Sequence, residues 1–366
     1  MKIAQVFYTG FGGTGSVAFS LISADRERSQ DWLIGFVGDQ PLDPSYPDRC
    51  MRHNVQWAEF RSSARGPYLA WLRLALWLSK KKPKVVLLHS INSIVVCRVF
   101  GWLYGAKVVA VEHTPNAVKS RAVWLASRLS MLLADRIVVL TAEYRNELAK
   151  AHGSLFRPHK VSIIPNGIDT DSFFPATRMS SKQGTIRIGM AARFAWSKRQ
   201  DLLIDMIAEL RSRKPEVHWS LSLAGDGETF DRIRDKTKAR GLENVVKLEG
   251  RMPETQVASW LRELDFYVHA SEGETLSTSL LQAMATGLPI VASDIPGVTN
   301  LLGGDHKSGI CVANTVEAFS DAVQYLVDNG KIAESLGTNA RATCVSRYGN
   351  REMLSTYLDI VSLPPK

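Results

Sequence analysis

The sequence predicts an α/β protein built from two Rossmann-like domains, each a doubly wound parallel sheet. Three observations predict it. Apolar runs of strand length alternate with helical segments through residues 1–169 and start afresh at 186. Between the two series, residues 175–185 are rich in Ser, Lys, Gln and Gly and have no apolar periodicity, as in a linker. The 366 residues suffice for two full cores. The expected divisions are 1–175, 176–349 and a final helical segment 350–366, with a cleft between the two sheets.

In the first series, residues 2–8 read as a strand that runs into the turn Thr9-Gly10-Phe11-Gly12-Gly13-Thr14-Gly15-Ser16, with a helix from 17 to 24. A strand, a glycine-rich turn and a helix let backbone approach a phosphate closely. The spacing is not G-x-G-x-x-G, which disfavours a nicotinamide fingerprint; a tight turn without a ligand stays open. Residues 64–83 form a helix that Pro67 starts and Lys80 to Lys82 end. Trp71, Leu72, Leu74, Leu76 and Trp77 make it unusually apolar and aromatic. It is either a core-facing crossover helix or one whose outer face lies on a membrane. Residues 84–90 and 107–115 read as buried parallel strands. Ligands of open α/β sheets bind beyond the carboxyl ends of strands, so His89 and His113 stand where a site can form. A basic helix at 117–134 carries Lys119, Arg121, Trp124 and Arg128, and strands at 136–141 and 160–164 follow.

The second series begins with a strand at 186–191, the loop 192–199 and a helix at 201–211. Strands at 219–224, 245–248 and 266–269 follow, and helices at 316–329, 331–346 and 350–362 finish the chain. The stretch 271–292 reads as loop, helix, turn and strand. Ser277 is a good N-cap, Gly287 suits a left-handed C-terminal position, and Pro289 forbids continuation. Glu272 and Glu274 precede a helix N-terminus whose free N–H groups bind phosphate readily. Such a site can hold a sugar attached to phosphates. Arg193 and Lys198 share one loop, and a planar fork beside a point charge suits a diphosphate. Asp169-Thr170-Asp171 follows an Asn-Gly turn and reads as a local cap rather than a metal site.

Composition narrows the class. An apolar content of 45% and a charged content of 22% are those of a soluble globular protein. The four cysteines form no CxxC pair, which argues against a disulfide framework or zinc and suits a reducing compartment. Neither a signal peptide nor a spanning apolar run is expected. The net charge of +9 sits wholly in residues 1–175, with 22 basic and 13 acidic side chains; residues 52–136 hold 14 against 3. An acidic partner is implied: anionic lipid, nucleic acid or an anionic substrate. Aromatic-basic alternation on strands is missing, so nucleic acid is the least favoured.

These residues resemble the retaining glycosyltransferases of family 4, which have the GT-B fold. The resemblance rests on Gly12-Gly13-Thr14-Gly15, Glu112-His113-Thr114, Ile164-Pro165-Asn166-Gly167-Ile168-Asp169 followed by Phe173, the pair Arg193 and Lys198, and residues 271–292. The last two are the specific ones. The resemblance implies that Glu274 contacts the donor sugar and that the backbone of Thr275, Leu276 and Ser277 holds a diphosphate. Arg193 and Lys198 bind and stabilise that diphosphate. Gly12 and Gly13 approach it, His113 faces the sugar, and the backbone around Arg251 meets the base. The first domain takes the acceptor, the second the donor, and the last helix crosses back to the first. One departure stands out: the family's second Glu falls on Gln282, which can accept and also donate. The implied activity is metal-independent transfer of a hexosyl or N-acetylhexosaminyl group from a UDP- or GDP-sugar to a lipid-linked or oligosaccharide acceptor. The setting expected is the cytoplasmic face of a bacterial membrane, in surface polysaccharide synthesis such as O-antigen, with the basic first domain touching anionic lipid. A nucleotide-sugar epimerase or hydrolase, or a non-catalytic relative that binds lipid or a partner, is the alternative.

Overall fold

Two all-parallel sheets carry every strand described in the computed structural model, which describes residues 1–366 except 11–12, 64–65, 115, 117–118, 177–183, 304–306 and 363–366. The chain divides into one unit of Met1–Gly167 with Asn350–Lys366 and a second of Ile168–Gly349.

The first unit runs β1 (Lys2–Phe7), α1 (Gly13–Ala24), β2 (Asp31–Gly38), α2 (Ser45–His53), β3 (Gln56–Arg61), α3 (Tyr68–Lys81), β4 (Val85–Leu88), α4 (Ile94–Tyr104), β5 (Lys107–Glu112), α5 (Arg121–Leu133), β6 (Arg136–Val139), α6 (Ala142–His152) and β7 (Val161–Ile163). The second unit runs β8 (Thr185–Ala191), α7 (Gln200–Arg213), β9 (His218–Ala224), α8 (Phe230–Ala239), β10 (Val246–Gly250), α9 (Glu254–Arg262), β11 (Phe266–His269), α10 (Thr278–Ala285), β12 (Ile290–Ser293), α11 (Pro296–Leu302), β13 (Ile310–Val312), α12 (Val316–Asp328) and α13 (Gly330–Arg347). The last helix, α14 (Asn350–Ser362), belongs to the first unit. The strand orders are β3-β2-β1-β4-β5-β6-β7 and β10-β9-β8-β11-β12-β13, so both sheets reverse direction beside their first strand.

The central strands are buried on both faces, which is why they read as continuous apolar runs. In the first unit α3, α4, α5 and α6 cover one face. The other face is covered by α1, α2 and α14. α14 is tied down by polar contacts as well: Lys107 Nζ donates to the Val361 carbonyl at 2.7 Å and Asn350 Nδ2 to the Ser20 carbonyl at 3.2 Å.

The structure adds α4, α6, α8, α9, α11 and β13 where the sequence reading names no element, and it departs from that reading in three further places. The division falls at Gly167 rather than 175. Ile168 pairs with Gly349, and the Arg341 guanidinium gathers the carbonyls of Thr170, Phe173 and Ala285, so residues 168–175 stay with the second unit. α1 begins at Gly13, four residues ahead of the expected start. Between 25 and 63, where the sequence reading places no element, lie β2, α2 and β3; β3 is an edge strand with mostly exposed side chains, so it lacks the apolar run that marks a buried one. The expected linker falls largely on 177–183, outside the described residues. α3 buries the stripe Ala70, Leu74 and Leu78 and exposes Leu69, Leu72 and Leu76, so its inner face is core and its outer face is free.

At the end of β5 a carboxylate is buried outright. Glu112 pairs with Lys119 at 3.0 Å, with neither side chain exposed, and accepts from Ser127 Oγ at 2.5 Å. Lys119 also donates to Ser127 Oγ at 3.2 Å and lies over the Trp124 ring. The pair fastens the loop after His113 to the sheet. Removing one partner leaves an uncompensated buried charge. Lys119→Met should therefore lower stability by about 3–5 kcal/mol, and adding Glu112→Leu should recover most of that loss. Urea unfolding of the two variants checks it.

Candidate active site

The candidate site of the second unit forms at the carboxyl ends of β8 and β11. α10 starts there because Ser277 caps it, its hydroxyl accepting from Leu280 N–H at 3.4 Å. It stops because Gly287 takes a φ of +71° and Pro289 follows. The N–H groups of Thr275, Leu276 and Ser277 have no acceptor among the described residues. Three donors thus stand free at the positive end of a helix dipole.

Glu274 lies directly before them. Its Oε1 is paired with Lys198 and accepts from His269 Nε2 at 2.8 Å. Burial acts to raise this carboxyl; the His269 hydrogen bond and the Lys198 charge outweigh burial and bring it down to about 2. Lys198 reaches it because the two loops are joined. Glu272 N–H donates to the Ser197 carbonyl at 2.8 Å, and Ser271 Oγ to the same carbonyl at 3.2 Å. From the other side, a Cβ on Gly297 would lie 2.1 Å from the Glu274 carbonyl oxygen, so only glycine allows this approach of α11. Glu272 is exposed and pairs with Arg199 at the rim, at 3.4 Å.

His269 is the residue that sequence reasoning missed. It is fully buried at the end of β11, its ring stacked near Tyr267. The available signal was a histidine closing a buried strand five residues before Glu274.

Arg193 lies in the same loop as Lys198 and is exposed. Arg251 follows β10 and is exposed as well. Gln282 is buried on α10, where its backbone carbonyl accepts from Thr286 Oγ1 at 2.8 Å. Asp169 is used by its own turn: its carboxylate accepts from Asp171 N–H at 3.1 Å and from Ser172 Oγ at 2.8 Å. In the first unit Gly13 opens α1, while Gly12 lies outside the described residues. His113 directly follows β5 and meets His89, which follows β4, at 2.9 Å. The structure thus brings together Glu274, Lys198, Thr275, Leu276 and Ser277 and adds His269.

The lowered carboxyl of Glu274 has a consequence for acid stability. Its pKa in the fold lies below its ordinary 4.5, so it stabilises the fold above 4.5, and that contribution fades as pH falls toward 2. The contribution is about 3 kcal/mol. Glu274→Gln should flatten this part of the stability–pH curve measured by denaturant titration between about pH 2 and 5.

The chain is similar to known proteins over nearly its whole length. Residues 177–343 match the family described as Glycosyl transferases group 1, and residues 11–172 match Glycosyltransferase Family 4. A GDP-mannose:cellobiosyl-diphosphopolyprenol alpha-mannosyltransferase of Xanthomonas oryzae is 23% identical over 98% of this chain and 96% of its own. A D-inositol 3-phosphate glycosyltransferase of Catenulispora acidiphila is 26% identical over 72% of this chain and 67% of its own. The fold superposes on Anabaena HepE in complex with UDP-glucose with a TM-score of 0.84, at 18% identity, over 99% of both chains. The chain belongs to glycosyltransferase family 4 and is a glycosyltransferase of GT-B fold.

Proposed function

We propose that this enzyme is a retaining, metal-independent transferase that moves a sugar from a nucleotide-diphospho-sugar to a hydroxyl of a lipid-linked or oligosaccharide acceptor in surface polysaccharide synthesis. The observation that carries the reading is the buried Glu274 carboxylate, held by Lys198 and His269 beside three free N–H groups. A carboxylate accepts from sugar hydroxyls, while the free amides and Lys198 take a diphosphate. Arg193 adds a planar cation from the same loop as Lys198, and together they offset the charge that grows on the leaving diphosphate. That is the part a metal plays in other transferases. The acceptor hydroxyl attacks on the leaving-group side, and a phosphate oxygen takes its proton. On the second unit the backbone near Arg251 takes the base and Gln282 the ribose. HepE's complex with UDP-glucose and the Xanthomonas relative's GDP-mannose and diphosphopolyprenol acceptor support the substrate classes.

A thermal-shift screen of UDP-, GDP- and ADP-sugars tests the donor. The right donor at 100 times its dissociation constant should stabilise by about 2.7 kcal/mol. Arg193→Ala should weaken it about tenfold or more, and Gln282→Glu should tighten it about fivefold. A chelator should leave turnover unchanged. No shift with any nucleotide, or turnover that a chelator abolishes and magnesium restores, would sink the reading.

The acceptor side is read from the outer faces of α3, α4 and α5, which pack side by side. None of the three carries an Asp or Glu. Each turns apolar side chains outward: Leu69, Leu72 and Leu76 on α3, Val99, Trp102 and Leu103 on α4, Leu125 and Leu132 on α5. Arg73, Lys80, Arg121 and Arg128 are exposed among them. Leucines, a 77%-exposed Trp102 and uncompensated cations suit an anionic bilayer and hence a lipid-linked acceptor. Co-sedimentation with phosphatidylglycerol vesicles should exceed that with phosphatidylcholine. Leu72→Glu with Trp102→Glu should reduce it about tenfold or more without changing donor binding. Equal recovery with both lipids would remove the membrane from the account.

A further inference from the structure

In the first unit a chain of hydrogen bonds runs across three neighbouring strands, β1, β4 and β5, and one backbone carbonyl decides its polarity. The Ala18 carbonyl can only accept, so the Gln5 amide nitrogen, 2.9 Å away, donates to it. Gln5 Oε1 is thereby turned toward His89 Nε2 at 3.0 Å and must accept from it. His89 is buried with its ring perpendicular to that of Phe7; burial, with His113 next to it, holds its pKa well below the ordinary value. The ring is neutral, and with its proton on Nε2 its Nδ1 carries a lone pair. That lone pair faces His113 Nε2 at 2.9 Å, so His113 donates there. His113 is neutral too, since burial brings it to about 4. Its Nδ1 is then bare, on a ring that is only partly buried.

We propose that Gln5 and His89 are positioning residues that lock His113 in the Nε2–H tautomer, so that its bare Nδ1 takes a hydrogen bond from a substrate hydroxyl. A lone pair cannot bind a phosphate oxygen or a carbonyl, which are acceptors themselves; only an O–H or N–H fits. The source of that hydroxyl, the donor sugar or the acceptor, rests on the transferase reading. The tautomer does not. The lock also separates His113 from a general acid, because a neutral ring whose only N–H is committed to His89 has no proton to give.

Long-range proton–nitrogen correlation spectra of the full chain with labelled histidine read the tautomer directly, His113 being identified by the signal that His113→Asn removes. At neutral pH both His89 and His113 should be neutral with the proton on Nε2. His89→Leu should leave His113 in a mixture of tautomers and lower kcat about tenfold or more. His89→Gln should restore both, because an amide supplies the same donor and acceptor in the same order. A charged His113, or one protonated on Nδ1, in the unaltered chain overturns the proposal. So does a His89→Gln chain as slow as His89→Leu, which marks His89 as packing alone. The predicted tautomers in a chain that binds no nucleotide-sugar would overturn the transferase reading and leave the lock standing.

Discussion

The second unit depends on one interaction: the Glu274 carboxylate, taken out of water and held by Lys198 and His269. Burying a carboxylate is costly unless opposite charge and hydrogen bonds replace its hydration. That requirement dictates the surroundings. The loop after β8 must come to the loop after β11, which it does through the Ser197 carbonyl. β11 must end in a donor, and α11 must approach without a side chain, at Gly297. Once these are met, the three N–H groups before α10 are left with no acceptor among the described residues. The chemistry at this end of the sheet follows from the way one negative charge is accommodated.

The first unit solves a related problem at the end of β5. Glu112 is buried there and matched by Lys119 from the following loop, as Glu274 is matched by Lys198. In both units a lysine from a loop neutralises a carboxylate at or just beyond the carboxyl end of a central strand. The outcomes differ. Glu112 shares its pair with Ser127 and Tyr144 and is sealed, so it holds a loop in place. Glu274 keeps a slight opening, with 10% of its side chain exposed, which is what a residue needs if it is to meet a ligand.

Much of this was legible in the sequence because it depends on local chemistry. The two β-α series follow from apolar period, and the ends of α10 follow from Ser277, Gly287 and Pro289. The resemblance to the family was carried chiefly by Arg193, Lys198 and the stretch 271–292. What was not legible depends on contacts between distant segments. His269 is one more apolar-flanked residue at the end of a strand until Glu274 folds back onto it. Gln5 reads as a polar interruption in β1 until His89 arrives from 84 residues away. β3 is an edge strand whose exposed side chains carry no burial signal. The division between units differs for the same reason: the Ser-, Lys-, Gln- and Gly-rich composition of 175–185 reads as a linker, but Arg341 decides which unit the preceding residues join.

The most direct test of the central claim is a crystal structure of the enzyme with its nucleotide-sugar. Diphosphate oxygens should lie within hydrogen-bond distance of the N–H groups of Thr275, Leu276 and Ser277 and of Lys198 Nζ, with a sugar hydroxyl on the Glu274 carboxylate. A nucleotide bound elsewhere on the second unit, with Glu274 still engaged only by Lys198 and His269, would contradict it.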